Sequence, residues 1–521
     1  MGRKILFITT DQQRFDTLTC NGSLISRTPH IDALARDGVR YTRAAPSSVV
    51  CMPSRASMLT GQFPTTHGAW MNGVALAVTA PSVAETLHDA GYETALIGKA
   101  HFEPYFDIFG RFAENSLAQL GIPTVEQPWY DGRRGPHRGF DHMELATHGA
   151  VGTTHYARFM MTEHFDQVGH FYNVLDADFQ VNAAGGGDTG APQVKVNPVP
   201  RELYHTDWVA ERTMNWLSQR ADDSEWFCWM SFPDPHHPWD PPESEMHRVN
   251  WRDVDLPAGY IADPEERERV LAQKAPHWGA WYRGELVSNY EAPAKFVPAH
   301  LTADQIREVN ARNAVEVELI DDAVGRVMAY LASRGWTEDV DVVFTTDHGE
   351  LQGDFGLLFK GPYHVDGLMR LPLIWRPAPR AQVAPAVVTA PVSLTQLAAT
   401  FTDIAGLPQP AYAEAPALPR DDASATADQS ITEWDSALFG IDVHLRTVVT
   451  ERYHLTRYQP GAVHDGSEGE LYDVVNDPLQ RENRYSDPAL RAIRDELEDR
   501  LIAHETREVE RATPGPLVAP V

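Results

Sequence analysis

Short apolar runs alternating with capped amphipathic segments open the chain. Residues 4–9 read as a strand buried on both faces, because Ile5, Leu6, Phe7 and Ile8 follow one another without polar alternation. Thr28 as N-cap, Pro29 at the first helical position and Gly38 as terminator bracket a helix. Ser82 and Glu85 have the spacing of a capping box ahead of Leu87, and Gly91 closes that helix. Residues 92–98 form the next strand. Strand, helix, strand, helix predicts an α/β fold whose mostly parallel sheet carries helices on both faces. After a less regular middle the pattern returns. Residues 226–232 and 339–346 read as strands. Val315, Leu319, Val324, Val327, Met328 and Leu331 share one helical face.

The irregular stretches suggest how the chain divides. Residues 105–200 hold few clean periods, a Gly185-Gly186-Gly187 run and the Pro198-Val199-Pro200 segment. A stretch of that kind reads as an insertion shaping a substrate pocket. Residues 376–430 are rich in Ala and Pro, broken by one helix at 393–405. Short β segments at 445–455 and 469–475 and a charged helix at 489–504 then predict a small antiparallel α+β subdomain. The expected division is a catalytic α/β domain over 1–429 and a C-terminal subdomain over 430–521. No internal repeat is found.

Composition narrows the partners. The 521 residues are 43% hydrophobic and 22% charged, which excludes a disordered or coiled-coil chain. A net charge of −29 disfavours nucleic acid and anionic membranes, so an anionic substrate needs a local basic pocket. Cys20, Cys51 and Cys228 are too few for a disulfide framework. The apolar run at 5–8 is too short for a signal-peptide core, and no run approaches the length of a membrane span. These readings predict a cytoplasmic chain without membrane attachment.

Chemistry-bearing residues gather after the predicted strands. Asp11-Gln12 follows the first, Lys99 and His101 the second, His236-His237 the third and Asp347-His348 the fourth. In a parallel sheet these ends share one edge, where ligands of open α/β sheets bind. Taken singly, each cluster also fits a turn, a cap or a surface loop. The sharpest motif is Cys51-Met52-Pro53-Ser54-Arg55, followed by Thr60-Gly61. It places Cys51 at a helix start, where free N–H groups favour anions, with Arg55 one turn on. A buried structural thiol or a plain thiolate nucleophile would also fit.

The Cys-x-Pro-Ser-Arg motif with its trailing Thr-Gly resembles the signature of the formylglycine-dependent sulfatases, of alkaline phosphatase-like fold. The resemblance covers most of the chain. It implies that a maturation enzyme oxidises Cys51 to formylglycine, whose hydrate is the nucleophile. It implies a divalent metal held by Asp11, Gln12, Cys51, Asp347 and His348, and catalytic roles for Arg55, Lys99, His101, His236 and Lys360. Asn72, before Gly73, resembles a substrate-contacting asparagine; a turn residue is the alternative. Leu471-Tyr472-Asp473 and Asn476-Asp477-Pro478 are similar to the family's C-terminal ending.

Two positions depart from the commonest pattern. Gln12 stands where a second Asp is usual, and His348 where Asn is usual. Both substitutions also resemble the phosphonate monoester and phosphodiester hydrolases, and an Asp-His pair resembles choline sulfatase. Asp11 and Asp347 then sum with a divalent ion to zero. The family implies calcium, but an imidazole ligand suits manganese better. Lys99 and His101, which the phosphonate hydrolases lack, favour a small sulfate ester as substrate. The expected activity is therefore sulfate monoester hydrolysis, with phosphonate monoester or phosphodiester hydrolysis by the same site as the alternative. An unmatured anion-binding homologue is the reading outside catalysis. Resemblance also implies homo-oligomeric assembly.

Overall fold

The computed structural model describes residues 3–104, 114, 137–150, 152, 154–171, 186–286, 296–438 and 441–505. Among them a central sheet has the order β4-β3-β5-β1-β6-β7-β2-β8, with β9 pairing β2. Its strands are β1 (Lys4–Thr10), β2 (Val39–Ala45), β3 (Glu93–Gly98), β4 (His142–Leu145), β5 (Trp226–Ser231), β6 (Val340–Thr346), β7 (Leu371–Arg376), β8 (Ala386–Val388) and β9 (Val392–Ser393). β1 lies between β5 and β6, parallel to both, and β3 runs parallel to β5. β7 is antiparallel to β6 and β2.

The unalternated apolar run of β1 has its physical reason here. Ile5 and Phe7 pack into the core on one face, Leu6 and Ile8 into the core on the other. β5 divides alike, with Phe227 and Trp229 on the first face and Trp226, Cys228 and Met230 on the second. A strand covered on both faces needs no polar side.

Helices cover the two faces. They include α1 (Pro29–Arg36), α2 (Cys51–Thr60), α3 (Val83–Asp89), α4 (His205–Ser218), α5 (Ala303–Ser333) and α6 (Leu397–Ile404). Thr302 and Gln305 close a reciprocal capping box at the start of α5. Val315, Leu319, Val324, Val327 and Leu331 of α5 are buried, and Met328 sits at the rim. No helix among the described residues is long and apolar enough to cross a membrane.

Local expectations hold unevenly. Ser82 caps α3 by accepting from Ala84 N and Glu85 N. Thr28 precedes α1 but does not cap it with its side chain. Asp321 of α5 does so from outside, accepting from His30 N at 3.1 Å and Ile31 N at 2.8 Å. Helix α1 ends at Arg36. Gly38 is needed instead for close approach, since a Cβ there would lie 2.5 Å from Trp375 O of β7. About half of the expected insertion at 105–200 lies outside the described residues. Its residues 142–145 are β4, paired with β3 in the central sheet.

A second, antiparallel sheet has the order β10 (Ser430–Leu438), β11 (Ile441–Val449), β12 (Tyr453–Gln459), β13 (Gly469–Asp473). α7 (Arg491–Glu505) packs on it through Leu497 and Leu501. The segment expected as one strand at 445–455 is a hairpin with Val448 opposite Leu455. Its turn uses Thr450, whose hydroxyl accepts from Tyr453 N at 2.9 Å. No Gly or Pro marks it. This sheet braces the segment leading to Cys51: Glu433 N donates to Ser47 O at 2.7 Å, and Thr432 Oγ1 to Pro46 O at 2.7 Å.

Candidate active site

The parallel pairing of β3, β5, β1 and β6 brings the four sequence clusters to one sheet edge. Asp11, Lys99, His236, Asp347 and His348 are all 0% exposed. Gly98, φ +107°, makes one of these crossings: a Cβ there would lie 1.7 Å from Ser231 O. Only glycine allows the approach by which Lys99 N donates to Ser231 O at 2.9 Å.

Helix α2 supplies the centre. Pro53 sits in its first turn, where the missing N–H costs nothing, and Gly61 closes it in the left-handed region. Every residue of α2 is buried, so it runs through the interior rather than along a surface. Cys51 is its first residue. Asn72 Oδ1 accepts from Met52 N at 3.0 Å, capping the helix from another loop. Its Nδ2 is buried without a hydrogen-bond partner among the described residues.

Arg55, one turn along, binds two carboxylates together. Its Nε donates to Asp347 Oδ2 at 2.8 Å and its Nη2 to Asp11 Oδ2 at 3.1 Å. Nη1 donates to Lys99 O and Ser231 Oγ, each at 2.9 Å. Lys99 Nζ lies 2.7 Å from Asp11 Oδ2. Burial opposes charge on Asp11, yet Lys99, His236 and Arg55 hold its carboxyl well below the usual range.

Around the Cys51 sulfur stand His348 Nε2 at 3.2 Å, Lys360 Nζ at 3.3 Å and Asp11 Oδ1 at 3.8 Å. Lys360 Nζ also donates to Gln12 Oε1 at 2.8 Å and meets His236 Nε2 at 2.9 Å. His236 Nδ1 contacts the His237 carbonyl, which can only accept. Nδ1 therefore carries the hydrogen, and Nε2 is the lone-pair side facing Lys360. Burial and Lys360 push its pKa well below the ordinary value. His101, φ +59°, shares the Lys99 loop; burial and then Lys99 favour its neutral form. The loop thus sets a neutral imidazole beside the Lys99 side chain.

Donor atoms of Asp11, Cys51, Asp347 and His348 lie within 4.8 Å of one another. His348 Nδ1 contacts Gly349 O at 2.9 Å, which leaves Nε2 as a lone-pair donor toward Cys51. Two carboxylates and a neutral imidazole suit a divalent cation with mixed oxygen and nitrogen preference.

Burial, then Asp11, pushes the Cys51 thiol up to about 12. At pH 8 only about 1 part in 10⁴ would be thiolate. Unconverted Cys51 is therefore expected to resist iodoacetamide in the folded protein at pH 8 and to react once unfolded. Peptide mapping checks this, and rapid native labelling at Cys51 would contradict it.

A family model described as Sulfatase matches residues 3–407. The chain belongs to the sulfatase family, the sulfuric ester hydrolases. It is 25% identical over 505 residues to the uncharacterized sulfatase YidJ of Escherichia coli K12, covering 95% of this chain and 86% of that protein. It is 26% identical over 380 residues to an arylsulfatase of Clostridium perfringens, covering 71% and 68%. The phosphonate monoester hydrolase of Agrobacterium radiobacter superposes with a TM-score of 0.76 at 22% identity, over 97% of this chain and 96% of that one. That likeness speaks for the shared alkaline phosphatase-like fold.

Three residues of this sulfatase-family site escape sequence reasoning. His148 stacks on His236 with ring centres 4.4 Å apart, but lies in the stretch without periods. Ser231 holds Arg55, yet is one more polar residue at a strand end. Glu350 accepts from Gln12 Nε2 and is pushed up to about 7 by burial. Its signal was present, as an acid three residues after Asp347.

Proposed function

We propose that this chain hydrolyses a small sulfate monoester to alcohol and sulfate, with formylglycine at position 51 and one divalent metal. The observation that carries the reading is Cys51 as first residue of a buried helix, within 4.8 Å of donor atoms from Asp11, Asp347 and His348. Asp11, Gln12, Asp347 and His348 would hold the metal, which supplies Lewis acidity toward sulfuryl oxygen. Formylglycine supplies a second hydroxyl by which bound sulfate can be expelled, which a serine lacks. Because Cys51 is 0% exposed, the maturation enzyme must reach it before α2 is packed.

The chain's own groups divide the remaining work. Arg55 helps to keep Asp11 ionised and holds Asp11 and Asp347 in register rather than reaching substrate, since its donors are taken up by protein. Lys99 and Lys360 balance charge on the sulfuryl oxygens. Lys360 holds the proton that the departing alcohol needs, and His236 Nε2 exchanges it. Asn72 turns its buried Nδ2 to the ester, and His101 accepts a proton as a neutral base.

The second reading, phosphonate monoester hydrolysis, is favoured by the His348 imidazole beside Cys51 and by the Gln12 amide that meets Lys360 next to it. Comparing kcat/KM for an aryl sulfate and the matching aryl phosphonate, on one preparation with conversion at position 51 verified, separates them. A preference for the sulfate of about 10-fold or more, worth roughly 1.4 kcal/mol, is expected. A preference for the phosphonate would overturn the first reading.

A further inference from the structure

Gln12, which the proposed function counts among the metal ligands, differs from the carboxylates and His348 in having two ends of similar shape and opposite chemistry. Its amide oxygen can meet a cation, whereas its NH2 repels one. Lys360, donating to Oε1 from the front, and two side chains behind the amide together choose between them. Gln12 Nε2 donates to the Glu350 carboxylate and lies 3.1 Å from His237 Nδ1. The Glu350 carboxylate accepts from that NH2, and His237 Nδ1 does so in its Nε2–H tautomer. Oε1 is left on the opposite side, toward Lys360 and through it the Cys51 sulfur.

Neither end of this arrangement is loose. The backbone of Gln12 is left-handed, φ +59°, and its N–H donates to Asp347 Oδ1 at 3.0 Å, which fixes where the side chain starts. Glu350 is 1% exposed, and its other oxygen accepts from Gln352 N at 3.1 Å. His237 is 2% exposed and packs edge-on against Phe359, ring centres 4.8 Å apart.

We infer that Glu350, assisted by His237, is a positioning residue that turns the amide oxygen of Gln12 into the metal cradle. The inference rests on the metal centre of the proposed function. A glutamine can replace the usual aspartate there because the acceptor behind it removes the wrong orientation. Partners behind metal ligands of this kind typically govern affinity by about 10–100-fold.

The test is a swap, read as Mn²⁺ affinity by competition with a chromophoric chelator on the full chain. Glu350→Gln can offer either end to Gln12, so its affinity is expected to fall about 10–100-fold. The double variant Gln12→Glu with Glu350→Gln reverses the pair. Its inner group has no wrong end, and the new amide donates from behind, so affinity should return to at least the wild-type value. A role confined to folding would not be restored by this exchange. Affinity of Glu350→Gln within about twofold of wild type, or no recovery in the swap, overturns the inference. Wild-type binding no tighter than that of an Asp11→Asn, Asp347→Asn control would overturn the metal centre itself, and this inference with it.

Discussion

Replacing Cys51 by alanine is expected to lower sulfate ester hydrolysis by on the order of 10⁴-fold or more, as removal of a nucleophile does in other hydrolases. The fold should survive. Cys51 is fully buried, but the substitution removes a single sulfur and leaves no charged group unpaired, since Lys360 keeps Gln12 and His236 as partners. A cost of about 1 kcal/mol follows from the small void. Circular dichroism and the thermal midpoint, which should move by no more than about 3 °C, check that half of the prediction. Cys51→Ser should behave differently. Its hydroxyl can attack once but has no second hydroxyl to expel sulfate, so it should release at most one equivalent of alcohol and then carry sulfate on the serine, visible by mass spectrometry. Full turnover in Cys51→Ala would show that the nucleophile lies elsewhere.

The second large effect belongs to Arg55, and it is one of stability as well as rate. Arg55 is 0% exposed and bridges Asp11 and Asp347, themselves both 0% exposed. Arg55→Ala leaves those carboxylates facing each other with Lys99 as the remaining close cation on Asp11. Breaking a buried ion pair from one side typically costs about 3–5 kcal/mol. The dependence on pH follows from Asp11. Its folded pKa lies well below the ordinary 3.8, so between the two values the unfolded chain binds the extra proton. Stabilisation is therefore fully present above about 3.8 and lost as pH falls through the folded value. The deficit of Arg55→Ala should be largest near neutral pH and shrink as acid protonates the carboxylates left facing each other. Urea unfolding at several pH values measures it, and a deficit that grows in acid would contradict the assignment. Arg55→Lys should recover only part, because one ammonium cannot span Asp11, Asp347 and Ser231 together.

The chemistry of the site was legible in the sequence to the extent that it is carried by residue type at a strand end. Asp11, Lys99, His236 and Asp347 announced themselves because a parallel sheet puts all such ends on one edge. Cys51 and Arg55 announced themselves through Pro53 and the helix start. Groups that act from behind were hidden. His148 and Ser231 matter through what they touch, and contact across the sheet leaves no local period; Glu350 showed as an acid close to Asp347, but not that it faces Gln12. The same holds for the fold. Asp321 caps α1 from a helix 290 residues away in sequence, so no local signal could place it. The hairpin between β11 and β12 turns on Thr450 without Gly or Pro, so the segment read as continuous.

The order of apolar runs along this chain determined that a parallel sheet buried on both faces would form, because strands such as Ile5–Ile8 have no face for water. The motif around Cys51 determined the family. Tertiary structure alone decided how the charges are shared. It gave Arg55 to Asp11 and Asp347 together, and Lys360 to the His236 lone pair. It also placed Glu350 behind the Gln12 amide. Residue type sets which groups can carry charge or a proton, but in a buried site the partner within about 3 Å decides which form each group takes.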